Sequence, residues 1–167
     1  MKRDGNKMIV IDTTCRDGMH AVAHQFSIED ISKIAEALEK SGVNYMEVSH
    51  GDGLGGSSIN YGYGKATDRE WLTAAREKLI NTKLAAMFLP GIGTMDDLRM
   101  ARECGVDMVR ITVHCTEADI TKQHVKLTKD LGMDAMGVLM MTHMVEPEKL
   151  LEQARIFEDT GKTEQKY

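Results

Sequence analysis

Long apolar runs are missing from this sequence of 167 residues, and without about 20 consecutive apolar residues no segment can span a bilayer as a helix. Clusters of positive charge are missing too. The 21 Lys and Arg residues are dispersed and outnumbered by 26 Asp and Glu, giving a net charge of -5. That balance excludes a nucleic-acid or anionic-membrane surface, since both recruit grouped cations. Cysteine is scarce: Cys15, Cys104 and Cys115 are an odd number without zinc-ligand spacing, which points to reduced thiols in a cytoplasm. The first residues, Met1 to Lys7, are polar, and the run Met8 to Ile11 behind them is too short for a leader's apolar segment, so no secretory leader is expected. Phenylalanine is rare, at 3 against 13 Met. Met is a flexible filler of apolar space, so the expectation is a Met-packed core rather than a Met-lined groove. What is left is one soluble globular domain over residues 1–167, large enough to bury a real core.

Short β-branched or apolar runs alternate with segments of helical period, the pattern of a parallel sheet with crossover helices. The strands are expected at Met8–Thr13, Asn44–Ser49, Lys83–Leu89, Asp107–Val113 and Ala135–Met141. Ser27 with Asp30, Thr67 with Glu70, Thr94 with Asp97 and Thr116 with Asp119 each set a hydroxyl three residues before an acid, as a capping box does. Gly42, Gly105, Gly132 and Gly161 stand where helices stop. Pro147 suits a first helical turn, followed by a stripe of Leu150, Leu151, Ala154 and Phe157. A closed eight-unit barrel needs about 250 residues, so the expected fold is α/β, a partial TIM (β/α)8 barrel of about five units. The polar tail Thr160–Tyr167 comes where a sixth strand would follow. Open sheet edges invite pairing, hence the further expectation of a homo-oligomer, a swapped arrangement or a marginal fold.

In parallel α/β folds, functional groups gather beyond the carboxyl ends of the strands. Arg16, Asp17 and His20 follow strand 1, His50 and Asp52 strand 2, His114 and Cys115 strand 4, and His143 strand 5. Each histidine alone reads as a hydrogen-bonded structural residue; their shared rim argues for more. His24 is assigned to a loop, and His124 to a helix away from the rim. Glu47 is a carboxylate in a strand that should be apolar. A buried charge needs a partner, either Arg16 or a bound metal, unless Glu47 faces water on an edge. Gly51-Asp52-Gly53-Leu54-Gly55-Gly56 fits the dinucleotide fingerprint formally. The fingerprint requires a helix to follow at once, whereas Ser57 to Ala66 reads as a continuing mobile loop.

Several blocks taken together carry a family resemblance. Asp12-Thr13-Thr14-Cys15-Arg16-Asp17-Gly18-Met19-His20, Glu47-Val48-Ser49-His50-Gly51-Asp52-Gly53, Leu89-Pro90-Gly91-Ile92-Gly93, His114-Cys115-Thr116-Glu117-Ala118-Asp119 and Met140-Met141-Thr142-His143-Met144 resemble, in order, the N-terminal portion of the 4-hydroxy-2-oxovalerate (4-hydroxy-2-oxoacid) aldolase family. The Arg-Asp-Gly element alone would indicate only the wider group of metal-dependent aldolases, lyases and Claisen-type synthases. The His-Gly-Asp-Gly and His-Cys-Thr-Glu-Ala-Asp blocks disfavour a 3-hydroxy-3-methylglutaryl-type lyase.

The resemblance implies retro-aldol cleavage of a 4-hydroxy-2-oxoacid to pyruvate and an aldehyde, in the cytoplasm and in aromatic-compound catabolism. It implies a divalent metal, Mn2+ before Mg2+ or Co2+, and association with an acylating aldehyde dehydrogenase. By position, Asp17 would ligate the metal and touch substrate, Arg16 would bind substrate and stabilise the enolate, and His20 would be the catalytic base. Cys15 departs from the leucine usual in the family. The family's remaining ligands form a later His-x-His pair, followed by a substrate-binding tyrosine. No His-x-His occurs in these 167 residues, so the second expectation is a partial barrel inactive by itself, a folding fragment or binding module.

Overall fold

The computed structural model describes residues 8–161; the polar stretches Met1–Lys7 and Lys162–Tyr167 lie outside them. Five parallel strands follow one another in the sheet, in the order β1-β2-β3-β4-β5. They are β1 (Ile11–Asp12), β2 (Tyr45–Glu47), β3 (Lys83–Phe88), β4 (Met108–His114) and β5 (Asp134–Met140). Helices α1 (Ile28–Ser41), α2 (Asp68–Arg76), α3 (Met95–Glu103), α4 (Lys122–Asp130) and α5 (Pro147–Gly161) alternate with them. Each strand pairs with the next in sequence, which gives the curled sheet of a half-barrel.

The strand expectations hold to within a few residues except at the first. There Met8, Ile9 and Val10 are exposed and the ladder begins only at Ile11. Val10 spends its N–H on the Asn44 side chain at 2.9 Å instead. Three capping boxes form in full, at Ser27 with Asp30, Thr67 with Glu70 and Thr94 with Asp97. The fourth does not: Glu117 precedes a 3-10 turn, Ala118–Thr121, and α4 starts at Lys122 without a side-chain cap. Gly42, Gly105 and Gly132 take the left-handed conformation expected of helix stops, while Gly161 is a residue of α5.

Alternation along the strands divides the sheet into two faces. Met46, Val48, Leu84, Ala86, Phe88, Val109 and Ile111 point into the layer shared with the helices, where Ile31, Ala35, Trp71, Leu72 and Leu98 meet them. The intervening residues, Glu47, Ala85, Met87 and Arg110, belong to the opposite, barrel-inner face. That face carries the charges.

Methionine divides differently from the expectation. Met19, Met46, Met87, Met108 and Met133 are buried, but Met136, Met140, Met141 and Met144 are exposed around β5. The expected stripe of α5 is covered only in part: Leu150 and Phe157 are half-buried, Leu151 and Ala154 are exposed, and Gln153 is the buried residue.

Candidate active site

The site is built where β1 ends. The Thr13 carbonyl accepts hydrogen bonds from the N–H groups of Arg16, Asp17 and Gly18 at 3.0, 2.8 and 3.3 Å. The Asp12 carboxylate accepts from the N–H and hydroxyl of Thr14 at 3.0 and 3.2 Å. These bonds turn the chain sharply into a 3-10 turn over Asp17–Val22 and throw Arg16 inward. Cys15 packs beneath it, fully buried. Burial, with the carboxylates of Asp12 and Asp30, pushes its thiol up to about 12, so it stays protonated and takes no part as a nucleophile.

Glu47 meets not one guanidinium but two. Arg16 Nε donates to its Oε2 at 3.1 Å, and Arg110 Nη1 donates to the same oxygen at 2.8 Å. Arg16 is one of the partners anticipated for Glu47, and the edge-strand alternative fails because the Glu47 side chain is wholly buried. Ala85 stands opposite Glu47 on the intervening strand and offers only a methyl group, which leaves room for Arg110 to reach across. Arg16 also holds Asp17, Nη1 to Oδ1 at 2.7 Å, and that carboxylate is 66% exposed. Glu47 Oε1, Arg110 Nε and Thr112 Oγ1 are buried polar atoms without a hydrogen-bond partner. Buried groups of this kind require water or a ligand. Arg110 was not singled out from the sequence, although a lone cation in Met108-Val109-Arg110-Ile111 is the mirror image of the lone anion in β2.

Beside this ion-pair cluster stands a group of histidines. Ala23 and His24 both adopt positive φ, 50° and 60°, a costly conformation for side-chain-bearing residues. It tucks the His24 ring against His50, stacked at 3.7 Å, with His20 edge-on at 5.1 Å. His24 is indeed in a turn, but it is a buried member of the rim, which its assignment as a plain loop residue missed. His50 is fixed from both ends: its Nδ1 accepts from the Asp52 N–H at 3.2 Å and its Nε2 lies 3.1 Å from the Gly62 carbonyl. Nε2 is therefore the protonated nitrogen. Burial holds His24 and His50 below the ordinary imidazole value, against the opposing pull of Asp52.

The loop after β2 is anchored at its start and does not open a helix until Asp68, so the dinucleotide reading fails on structure as well. Asp68 accepts from the N–H groups of His50 and Gly55, both at 2.8 Å, and burial raises its carboxyl above the usual range. Lys65 N–H donates to the His24 carbonyl at 3.0 Å. The other rim histidines stand apart from this group: His114 pairs with the Thr116 hydroxyl at 2.9 Å, and His143 lies exposed in a turn over Thr142–Met144. His124 is on α4 as expected, packed on Phe88 at 4.9 Å.

For a metal, Asp17 offers one exposed carboxylate. Manganese or magnesium prefers about six oxygen or nitrogen donors. Among the described residues the one group of three metal-binding side chains is His20, His24 and Asp52, and Asp17 is not in it. The donor set present fits a hard cation at a single position.

A parallel half-barrel whose strand ends carry a paired arginine and carboxylate, with histidines beside them, is a partial TIM barrel with its charged groups at the carboxyl rim, the face where such barrels place their sites. The chain belongs to the HMGL-like family, whose profile matches residues 7–166. Curated relatives include the 4-hydroxy-2-oxovalerate aldolases of Carboxydothermus hydrogenoformans, 56% identical over 93% of this chain and 46% of that protein, and of Moorella thermoacetica, 55% identical over 91% and 45%. That of Pseudomonas putida is 47% identical over 96% and 46%. The resemblance read from the sequence is thus borne out, and the chain spans about half the length of the curated relatives it matches. Among solved structures, the N-terminal domain of a proposed aldolase from Bacteroides vulgatus superimposes with a TM-score of 0.73 at 21% identity, over 92% of this chain and 52% of that one. The carboxyl transferase domain of Rhizobium etli pyruvate carboxylase gives 0.76 at 15% identity, over 95% and 30%. At such identities these two speak for the fold alone.

Proposed function

We propose that this chain forms the base-bearing half of a divalent-metal-dependent 4-hydroxy-2-oxoacid aldolase, a carbon-carbon lyase releasing pyruvate and an aldehyde. The observation that carries the reading is Arg16, mostly enclosed and paired with buried Glu47 by one edge and with exposed Asp17 by another. A guanidinium held at fixed orientation supplies positive charge where an enolate oxygen develops, at no reorganisation cost during the reaction. Arg16 and Asp17 would both face the oxoacid end of the substrate. His20, exposed beside them, would take the proton from the 4-hydroxyl as the carbon-carbon bond breaks. The cation, manganese before magnesium or cobalt, supplies Lewis-acid withdrawal of charge from the 2-oxo group when bound. Asp17 would contribute one ligand to it, with water and the substrate's own oxygens among the others.

The single domain, a cytoplasmic setting, an acylating aldehyde dehydrogenase partner and a homo-oligomer complete the reading as proposals. A second reading, that the 167-residue chain is catalytically silent alone, is favoured by the single hard-ion donor at Asp17. One pair of assays tests both. The chain alone, given Mn2+ and 4-hydroxy-2-oxopentanoate, is expected to release no pyruvate. Fused to the remaining half of the Carboxydothermus relative, it is expected to release pyruvate in a chelator-sensitive manner, lost in Asp17→Asn and His20→Ala. A folded fusion with no activity, or an unchanged turnover number in His20→Ala, would overturn the proposal.

A further inference from the structure

The histidine group has a feature that the aldol chemistry does not use. His24 is 6% exposed, and its Nδ1 is buried with no hydrogen-bond partner. A buried ring nitrogen left in that state costs free energy unless something binds it. His20 stands edge-on to the His24 ring at 5.1 Å, and Asp52 is near both. One ligating atom from each of His20, His24 and Asp52 can be chosen so that all lie within 4.8 Å of one another. The two imidazoles converge on bare backbone: a Cβ added at Gly51 would stand 2.7 Å from both rings. Any other residue there would push the rings apart.

We propose that His20, His24 and Asp52 form a binding site for a borderline first-row cation, with zinc as the type, distinct from the hard-ion carboxylate of Asp17. Two imidazoles and one carboxylate with an open fourth position make a donor set that suits zinc, nickel or cobalt(II) and not magnesium. Tetrahedral ligands at about 2.0–2.1 Å from zinc stand roughly 3.3 Å apart, so from a separation of up to 4.8 Å the three donors must close by as much as about 1.5 Å. The freedom to do so is unequal. His24 is clamped by its stack on His50, while His20 is exposed and the Asp52 side chain is 26% exposed, so the mobile pair closes onto the fixed ring. Plain packing of rings, with Asp52 serving His50 at 3.6 Å, would account for Asp52 but leave the His24 nitrogen unexplained.

Occupation takes up a lone pair on His20. The consequence, that zinc blocks cleavage while manganese does not, rests on the reading of His20 as the base; binding itself stands on geometry and is measured without turnover. Equilibrium dialysis of the 167-residue chain with zinc chloride, and the visible absorption of added Co2+, test it. The expected result is one zinc per chain and a tetrahedral Co2+ spectrum. Affinity should fall at least tenfold in His24→Gln and in Asp52→Asn and be unchanged in Asp17→Asn and Cys115→Ser. Far-ultraviolet circular dichroism checks each variant. Should His24→Gln not fold, the more exposed Asp52→Asn and His20→Ala decide. Absence of zinc binding, equal affinity in all variants, or loss in Cys115→Ser alone would overturn the site; failure of pyruvate release would not touch it.

Discussion

The two ends of the sheet follow one strand-helix grammar and finish differently. At the β1–β2 end, Met46, Glu47, Val48, Ser49 and His50 are all buried, and the one charge among them is met by two cations. At the β5–α5 end the ladder is as regular, β5 pairing with β4 over seven residues from Asp134 to Met140. Yet no residue of β5 is buried, and Met140, Met141, Met144 and Leu151 are 38 to 58% exposed. Backbone pairing thus extends as far as local pattern carries it. Burial, and with it a competent site, needs a second covering layer. The contrast also explains why the chemistry clusters at one end: pre-organised charge requires neighbours on every side.

The comparison breaks most visibly at Glu47. Replacing it by Ala leaves Arg16 and Arg110 facing each other in a water-poor site, and removing one partner of a buried pair costs about 3–5 kcal/mol. Thermal or urea unfolding of Glu47→Ala should register that loss, a large part of the about 5–15 kcal/mol typical of a domain; a loss under about 1 kcal/mol would mean the arginines are held by something else. A smaller effect is expected of Ser27→Ala. Its hydroxyl accepts from the Asp30 N–H at 3.1 Å at the start of α1, and such caps contribute about 1 kcal/mol. Asp30→Ala should couple to it, since both halves of one box are lost together.

A third tether reads out through pH. Glu39, on α1, accepts from the N–H groups of Ile80, Asn81 and Thr82 at 2.9 to 3.1 Å. Those bonds lower its carboxyl from 4.5 to about 2. The folded-state value lies below the unfolded one, so the stabilisation is complete above about pH 4.5 and is lost as pH falls toward about 2. The expected outcome is a Tm that declines across that window in the parent and is flatter in Glu39→Gln. Parallel profiles would remove Glu39 from this role.

Much of this was legible from residues alone, for identifiable reasons. Capping boxes and helix-stopping glycines are local, so three of four boxes and three of four glycines formed as expected. The failed box, Thr116 with Asp119, begins right after β4, where a 3-10 turn intervenes before α4. Glu47 announced itself as a charge in an apolar strand. Arg110 carried the same signal and was passed over, because its meaning depends on β2 and β4 bracketing β3, a long-range fact. His24 was hidden for another reason: nothing about an Ala-His pair signals left-handed backbone, a conformation glycine usually marks. Asp68 was not singled out at all: an acid in a first helical turn carries no sign that its carboxylate accepts from the loop at His50 and Gly55.

The smallest effect is expected at the open end, and it bears on the proposed homo-oligomer. Leu151 is 53% exposed, so in dilute solution Leu151→Ser should alter stability by no more than about 0.5 kcal/mol, as exposed substitutions do. Concentration separates the two meanings of that exposure. If a second copy covers this end, raising protein concentration buries the apolar surface and stabilises the parent by mass action. The variant should then lag behind it. Sedimentation velocity across a concentration series should accordingly show the parent associating at lower concentration than Leu151→Ser, with the unfolding midpoints diverging in step. Coincident sedimentation and unfolding at every concentration would make this an end that copies of the chain do not share, and the contrast between the two halves of the sheet would then be one of surface chemistry alone.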